Sequence, residues 1–404
     1  MGTASVVNLP DGQGPWLPVA PRTWIDAGAT TPGDALRARL LETDAGSGLA
    51  WHRQRPLFQG IQSLAQSIPS GTFTAVTGLA ELVDNYAGHS DTVNTGRYYV
   101  PRTNSNTSGG DWYLASGYIP FNSPSASTVF YTCLRETGSA TIIEGAKVPS
   151  GTGHVVTGMV LDLMQMHGGN NDYVELIARQ LTGAAVNTVV SGKSPSLTVR
   201  WLAADPAWAG FATPALPATP HTWTASDLYT GSATGAGKVP LNVELRDFIN
   251  FLNNPPIARL TAEGGSQTIP SGSGTWTSIQ LPTETVDTYN GHDNVNNSRY
   301  TCPRAGLYLV AGYVSVGEPN PNSGYRAARL LHTFAAGGST TYAGWTTLPA
   351  TAGTSGTGIY AVALVRMAAG DFIETQMQQT QGAALNVNNG VGNCSRMIAV
   401  WMAA

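Results

Sequence analysis

The sequence predicts an all-β protein of 404 residues built as two tandem β-sandwich domains. Three observations carry that reading. Short apolar runs of strand length alternate with Gly, Pro, Asn and Ser turn signals along most of the chain. Charged residues make up only 11%, far below the usual quarter, as suits a chain rich in turns and in covered surface. One strand-corner-strand passage is written twice, the mark of an internal duplication.

The clearer copy of that passage is Asn296-Asn297-Ser298-Arg299-Tyr300-Thr301-Cys302-Pro303-Arg304-Ala305-Gly306, continuing through Leu307 to Val314. Arg299 to Cys302 alternates, and Pro303 ends the strand because proline cannot donate to a ladder. Ala305-Gly306 turns the chain, and Leu307 to Val314 forms the next strand. The earlier copy is Thr95-Gly96-Arg97-Tyr98-Tyr99-Val100-Pro101-Arg102, then a polar insert, then Asp111 to Ile119.

In chain order, residues 1–56 form an N-terminal anchor and connector. They include Thr23-Trp24 and a helical pattern from Asp34 to Glu42. The first β domain spans 57–203. It opens with Gln66-Ser67-Ile68-Pro69-Ser70-Gly71 and closes on Leu197 to Ala203. A linker follows over 204–256. Pro206, Pro214, Pro217 and Pro220 stiffen it. A short helix is predicted over 240–252, where Leu241, Leu245, Phe248 and Leu252 share one face and Pro240 suits the first turn. The second β domain spans 257–404. It opens with Gln267-Thr268-Ile269-Pro270-Ser271-Gly272 and closes on Arg396 to Ala403. Gly183-Ala184-Ala185-Val186-Asn187 is matched by Gly382-Ala383-Ala384-Leu385-Asn386. So many landmarks in one order imply a common scaffold, with about eight strands to a block, as in a two-sheet sandwich.

The composition also excludes partners. Net charge is −4 and no basic cluster occurs, so the electrostatic footprint of a nucleic-acid binder is missing. No apolar run reaches membrane-spanning length, and no signal peptide is expected at the start. The three cysteines, Cys133, Cys302 and Cys394, have no metal spacing and are expected as reduced thiols; Cys302 and Cys394 share a domain, and pairing between them stays open.

The passage Arg299-Tyr300-Thr301-Cys302-Pro303 with Gly306-Leu307-Tyr308 resembles the C1q/TNF-like jelly roll, as do Gly370-Asp371-Phe372-Ile373-Glu374 and the apolar final strand Met397 to Met402. The resemblance covers most of 257–404 and, more loosely, 57–203. It implies two jelly-roll domains, each preceded by an extended connector with a short helix, and it implies homotrimers. The first domain departs from the pattern at Thr103 to Gly110 and at Gly168 to Asp172. A second, shorter resemblance lies in the connectors. Thr222-Trp223, Arg246-Asp247-Phe248-Ile249-Asn250-Phe251-Leu252 and Pro255-Pro256 are similar to segments of minor structural proteins of actinobacteriophages. That resemblance implies a virion component.

Few residues invite a catalytic or metal role. Of the seven histidines, His154, His167, His221 and His332 have no partner at a readable spacing. His89 and His292 sit at matched places, Asp84-Asn85-Tyr86-Ala87-Gly88-His89-Ser90-Asp91 and Asp287-Thr288-Tyr289-Asn290-Gly291-His292-Asp293-Asn294. These loops are read as Asx turns capped by histidine, since calcium needs more oxygens than they offer. The acids Glu81, Asp84, Asp91, Glu284, Asp287 and Asp293 are read as solvated turn residues. No nucleophile elbow, phosphate loop or zinc-protease motif occurs. Trp112, Tyr113, Tyr118, Tyr308, Tyr313 and Trp276 could stack on sugars, but alternating strand aromatics more often face a core. Loops at 103–110, 121–127, 318–324 and 337–344 are the better candidates for recognition.

The expectation is therefore a non-enzymatic phage virion protein with no catalytic residue, cofactor or metal. It would be a trimeric tail or head fibre that meets other virion proteins through its N-terminal segment and binds host cell-wall carbohydrate. A capsid decoration protein and a secreted lectin-like module are the alternatives.

Overall fold

The computed structural model describes residues 55–100, 110–122, 129–137, 141–149, 155–166, 172–203, 251, 254–317, 323–350 and 356–403. The helix expected at 34–42 and the prolines of the linker lie outside these residues, as does the helix expected at 240–252 except for Phe251.

The first block carries β1 (Leu57–Gln62), β2 (Ser67–Ile68), β3 (Thr74–Ala75), β4 (Leu79–Asp84), β5 (Arg97–Tyr99), β6 (Asp111–Asn122), β7 (Val129–Glu136), β8 (Ile142–Pro149), β9 (Val155–Met166), β10 (Tyr173–Gln180), β11 (Val186–Asn187) and β12 (Ser196–Ala203). The second carries β13 (Ile257–Thr261), β14 (Thr268–Ile269), β15 (Thr277–Ser278), β16 (Thr283–Asp287), β17 (Arg299–Thr301), β18 (Gly306–Val316), β19 (Tyr325–Thr333), β20 (Thr340–Pro349), β21 (Thr357–Met367), β22 (Phe372–Gln379), β23 (Leu385–Asn386) and β24 (Arg396–Ala403). Eight strands in each block have five residues or more.

Strand order repeats between the blocks. One sheet runs β4-β1-β12-β6-β9 and its counterpart β16-β13-β24-β18-β21. The facing sheet of the first block runs β8-β7-β10, with β3 and β5 both on β10; that of the second runs β20-β19-β22, with β15 and β17 both on β22. All these ladders are antiparallel. The protein is all-β, and each block is a jelly-roll sandwich of two sheets.

The repeated landmarks are the fixings of this scaffold. Gln66 donates to the Ala75 carbonyl at 2.8 Å and accepts from the Thr77 amide. Gln267 donates to Ser278 at 2.7 Å and accepts from the Gln280 amide. Ser70 and Ser271 accept the amides of Gly183 and Gly382, so each Gln-Xaa-Ile-Pro-Ser-Gly run is tied to its Gly-Ala-Ala partner. Gln180 and Gln379 close the same knot from β10 and β22, donating to Ile68 and Ala184 or to Ile269 and Ala383. Polar side chains that satisfy buried backbone are what hold such loops in place. At the corner, Cys302 donates its amide to the Asp371 carbonyl at 2.6 Å before Pro303 stops the ladder. Gly306 is required there, because a Cβ would lie 2.3 Å from the Trp401 ring nitrogen.

Each sandwich has its own core, around Phe58, Tyr98, Tyr113, Phe121, Phe130 and Trp201 in the first block and around Tyr300, Tyr308, Leu330, Ile359, Met377 and Met397 in the second. A third cluster joins them. Trp112, Leu161, Leu163 and Leu202 pack with Tyr313, Tyr360, Ile398 and Val400. At its centre Asp162, fully buried, meets two arginines of the other block. Arg259 donates to Oδ1 at 2.8 Å and to Oδ2 at 3.1 Å. The Arg396 Nε stands 2.8 Å from Oδ2, close enough for an ion pair though not angled for a hydrogen bond. The Tyr360 hydroxyl accepts from Arg396 and donates to the Leu161 carbonyl. A single bridge, Lys147 to Gly358, then links β8 to β21. The two sandwiches therefore meet across a buried, charged seam.

Candidate functional site

The strongest surface feature lies on the β15-β22-β19-β20 sheet of the second block. It is built by a bulge. Ala328 pairs Thr346 and Leu330 pairs Ala343, so Arg329 faces two residues, Gly344 and Trp345. Gly344 sits at φ 59°, the left-handed conformation that such a bulge takes. A Cβ there would come within 2.8 Å of the Val362 backbone, so only glycine fits. The extra residue changes the phase of the strand. Tyr342 and Trp345, three apart, come to lie on the same outward side, where unbroken alternation would oppose them.

Arg329 points outward between Ala328 and Leu330, which face the core. Its guanidinium lies 3.8 Å from the Tyr342 ring centre, 4.0 Å from Trp276 and 5.8 Å from Trp345. Its Nε donates to Gln376 at 2.9 Å, and Gln376 donates in turn to Ser278. Trp276 and Trp345 meet edge to face at 4.8 Å. The cation is nearly covered, with 8% exposure, whereas Tyr342 and Trp345 are 55% and 58% exposed. Burial holds the Arg329 guanidinium somewhat below its ordinary value, with Tyr342 opposing; it remains a cation at neutral pH. Cation–π attraction fixes the rings over it, so flat apolar faces are presented in one arrangement. Rigid, exposed Trp and Tyr faces beside an Arg are the usual make-up of binding hot spots.

Of the aromatic residues singled out from sequence, only Trp276 belongs to this patch. Trp112 and Tyr313 lie in the seam, and Tyr113 and Tyr308 lie in the cores. Tyr118 is half-buried on β6. The recognition loop expected at 337–344 is instead the end of a turn over 335–338 followed, from Thr340, by β20. Among the other loop candidates, 103–109, 123–127 and 318–322 lie outside the described residues. Arg329, Tyr342 and Trp345 were not legible as a site. The available signal was Tyr-Ala-Gly-Trp, an exposed aromatic pair around a glycine.

His332 and the first aspartate of each matched loop have structural partners. His332 is buried and its Nε2 lies 3.0 Å from Asp371 Oδ2, while Asp371 also accepts the amides of Ala335 and Ala368. Burial alone would raise the Asp371 carboxyl; these donors outweigh it and hold it below the ordinary carboxylate value. His154, His167 and His221 lie outside the described residues. In the matched loops, Asp84 accepts the amides of Tyr86 and His89, and Asp287 those of Tyr289 and His292, as Asx turns do. The three cysteines are free and buried. A cleft lined by Arg55, Arg200, Leu202, Pro255, Trp401 and Met402 holds about 100 Å³, below the ~300 Å³ at which small-molecule sites begin.

No family model matches the chain. A search of curated proteins finds no match. Among solved structures, the chain is similar to the globular domain of zebrafish complement 1qA protein, at 12% identity and a TM-score of 0.23, over 36% of this chain and 97% of that one.

Proposed function

We propose that the chain is a non-enzymatic binding protein of a virus particle that infects bacteria. It holds cell-wall carbohydrate on the Trp276–Tyr342–Trp345 face and assembles as a homotrimer anchored through residues 1–56. The observation that carries the binding half is the patch itself: exposed rings held in one arrangement by the covered Arg329. Aromatic faces stack on the apolar face of a sugar ring at little entropic cost, because two χ angles are already fixed. The seam adds a second support, since a fibre under tension gains from sandwiches that cannot swing apart. Weak single contacts would be summed over the copies in the particle. The virion setting and the trimer rest on the resemblances in the connectors and in the corner passage.

The test is sedimentation of the intact chain with purified bacterial cell wall. Trp345→Ala and Tyr342→Ala are each expected to lower the bound fraction by about tenfold or more. Their stability should fall by no more than about 1 kcal/mol, the scale of an exposed cation–π contact. Undiminished binding in both variants would overturn the assignment of the face. Light scattering should return three times the chain mass, and a monomer would remove the trimer. Antibody labelling of intact particles should place the chain on the virion.

A further inference from the structure

The two matched histidine loops differ at four of their eight positions, and one of these, Asp91 against Asn294, decides what the buried imidazole faces. The His89 side chain is fully covered, stacked on Phe58 at 5.0 Å. Its Nε2 lies 3.3 Å from the Thr95 carbonyl, and that of His292 lies 3.4 Å from Asn297. A carbonyl only accepts, so Nε2 carries the proton and the neutral ring has a lone pair on Nδ1. Nδ1 is buried without a hydrogen bond in both loops. In the first block that atom points at two carboxylates, Asp91 Oδ1 at 3.7 Å and Glu81 Oε2 at 3.9 Å. In the second it points at Glu284 Oε2 at 3.5 Å. Aligned by loop position, Glu284 matches Glu81, while Asn294 stands where Asp91 would.

A lone pair facing two carboxylates is unfavourable unless a positive charge lies between them. As they stand, the separations exceed hydrogen-bond length; a protonated ring drawn to one carboxylate is the competing arrangement, and zinc titration separates the two. The separations are near the spacing of two ligands on one ion: metal–ligand bonds of about 2.0–2.2 Å at a tetrahedral angle put donor atoms roughly 3.4 Å apart. All three ligand atoms lie within 4.8 Å of one another. The imidazole is fixed by its stack, whereas Glu81 and Asp91 are 38% and 65% exposed and free to close the last few tenths of an ångström.

We propose that Glu81, His89 and Asp91 form a divalent transition-metal site of the zinc class, and that the second block lacks it because Asn294 replaces the third ligand. One imidazole with two carboxylates suits zinc and its neighbours rather than calcium, which takes six to eight oxygens. The ion would tie β4, which carries Glu81, to the loop that follows it. Three carboxylates, Glu81, Asp84 and Asp91, crowd the position. A cation relieves that repulsion.

The test uses the full chain stripped with a chelator and titrated with Zn²⁺ against a chromophoric competitor, with Co²⁺ absorption as a report of ligand geometry. A single zinc ion per chain is expected, with d–d bands on Co²⁺ loading and a rise in Tm on zinc addition. Asp91→Asn, which copies the second block at an exposed position, should weaken binding by about tenfold or more and cancel the Tm rise. His292→Gln should leave zinc binding unchanged. The proposal fails if the wild-type chain takes up no zinc, as it would if His89 is simply an imidazolium. It fails equally if Asp91→Asn binds as tightly as wild type, or if Ca²⁺ displaces Zn²⁺ at equal concentration.

Discussion

The same three-strand face is layered in opposite order in the two sandwiches. In the first block the row Ala75–Ile177–Cys133 runs across β3, β10 and β7. In the second the matching row is Ser278–Gln376–Arg329, across β15, β22 and β19. Cys133 thus stands where Arg329 stands. Val129, Tyr131, Cys133 and Ile177 are buried with Phe73 and Leu181 packed on them, and the guanidinium of half-buried Arg179 lies against that cluster, 4.6 Å from the Phe73 ring and 5.2 Å from that of Tyr131. In the second block the guanidinium lies beneath and the rings lie above. The bulges differ to match. Tyr131 pairs Lys147 and Cys133 pairs Glu144, so the extra residue there opposes Thr132, one position from the residue equivalent to Arg329. A shift of one position decides whether a strand delivers its large side chains to the core or to the surface. A duplicated scaffold thus keeps its fixings and diverges in what one face shows to solvent.

Exchanging the two central residues should give the largest effect. Cys133→Arg forces a long charged side chain into a fully buried apolar cluster, where the opposing Glu144 is already paired with Lys147, at a cost of about 3 kcal/mol or more. Arg329→Cys removes a cation from beneath exposed rings and should cost only about 1 kcal/mol. Urea denaturation of both variants measures the difference. Equal losses would mean that the two faces are not layered oppositely.

The seam should come next. Asp162→Asn removes the negative charge between Arg259 and Arg396 and is expected to cost about 3 kcal/mol. It should also split one thermal transition into two, because each sandwich keeps its own core. Burial by itself would raise the Asp162 carboxyl, but the two arginines and the Leu163 amide outweigh it and hold it below the ordinary value. A lowered folded pKa means that this stabilisation is complete above the unfolded value of about 3.9 and is lost as pH falls through the folded one. Wild type should therefore lose its single transition only in strong acid. Retention of that transition in Asp162→Asn would mean that the apolar part of the seam suffices.

Gly344→Ala should be smaller in stability and large in binding. The φ of 59° and the Val362 backbone at 2.8 Å both resist a Cβ, so a loss of about 1–2 kcal/mol is expected. The bulge would relax and turn Tyr342 away from Trp345, abolishing cell-wall binding by the same sedimentation assay. Intact binding would show that the bulge does not set the patch.

These features also mark how far the sequence could be read. The scaffold was legible because its fixings are local and doubled: Gln66 with Gln267 and Ser70 with Ser271 stand at equal offsets and do equal work. The patch was not, because a period-two reading of Thr341 to Thr346 sends Tyr342 and Trp345 to opposite faces, and the correcting bulge exists only once β19 lies alongside. The seam left one faint sign. Asp162 is a lone acid in the run Gly158-Met159-Val160-Leu161-Asp162-Leu163-Met164, and a charge in such a run is seldom buried unpaired. Its partners, Arg259 and Arg396, are about 100 and 230 residues away and look like ordinary strand charges. The His89 loop was legible as a turn from its Asx residue, whereas Glu81 joins it only through the path of β4.

The smallest expected effect concerns the thiols, which report whether the covered face ever opens. Burial first, and Glu144 second, pushes the Cys133 thiol up to about 12. Burial pushes Cys394 up to about 11, with Arg396 and Arg259 opposing. The thiolate is the reactive form, so the more strongly raised Cys133 thiol should react more slowly at equal access. In the native chain at pH 7.5, iodoacetamide labelling followed by peptide mass spectrometry should find Cys133 modified more slowly than Cys394. Denaturant should bring all three cysteines to one rate. In Cys133→Arg no comparison is possible, but in Asp162→Asn the order becomes diagnostic. Cys394 neighbours the seam arginine Arg396, so a loosened seam should speed Cys394 and leave Cys133 protected by its own cluster. Faster labelling of Cys133 than of Cys394 in the wild-type chain would mean that the first block's apolar face opens to solvent more readily than the seam, and the two faces would then differ in layering but not in cover.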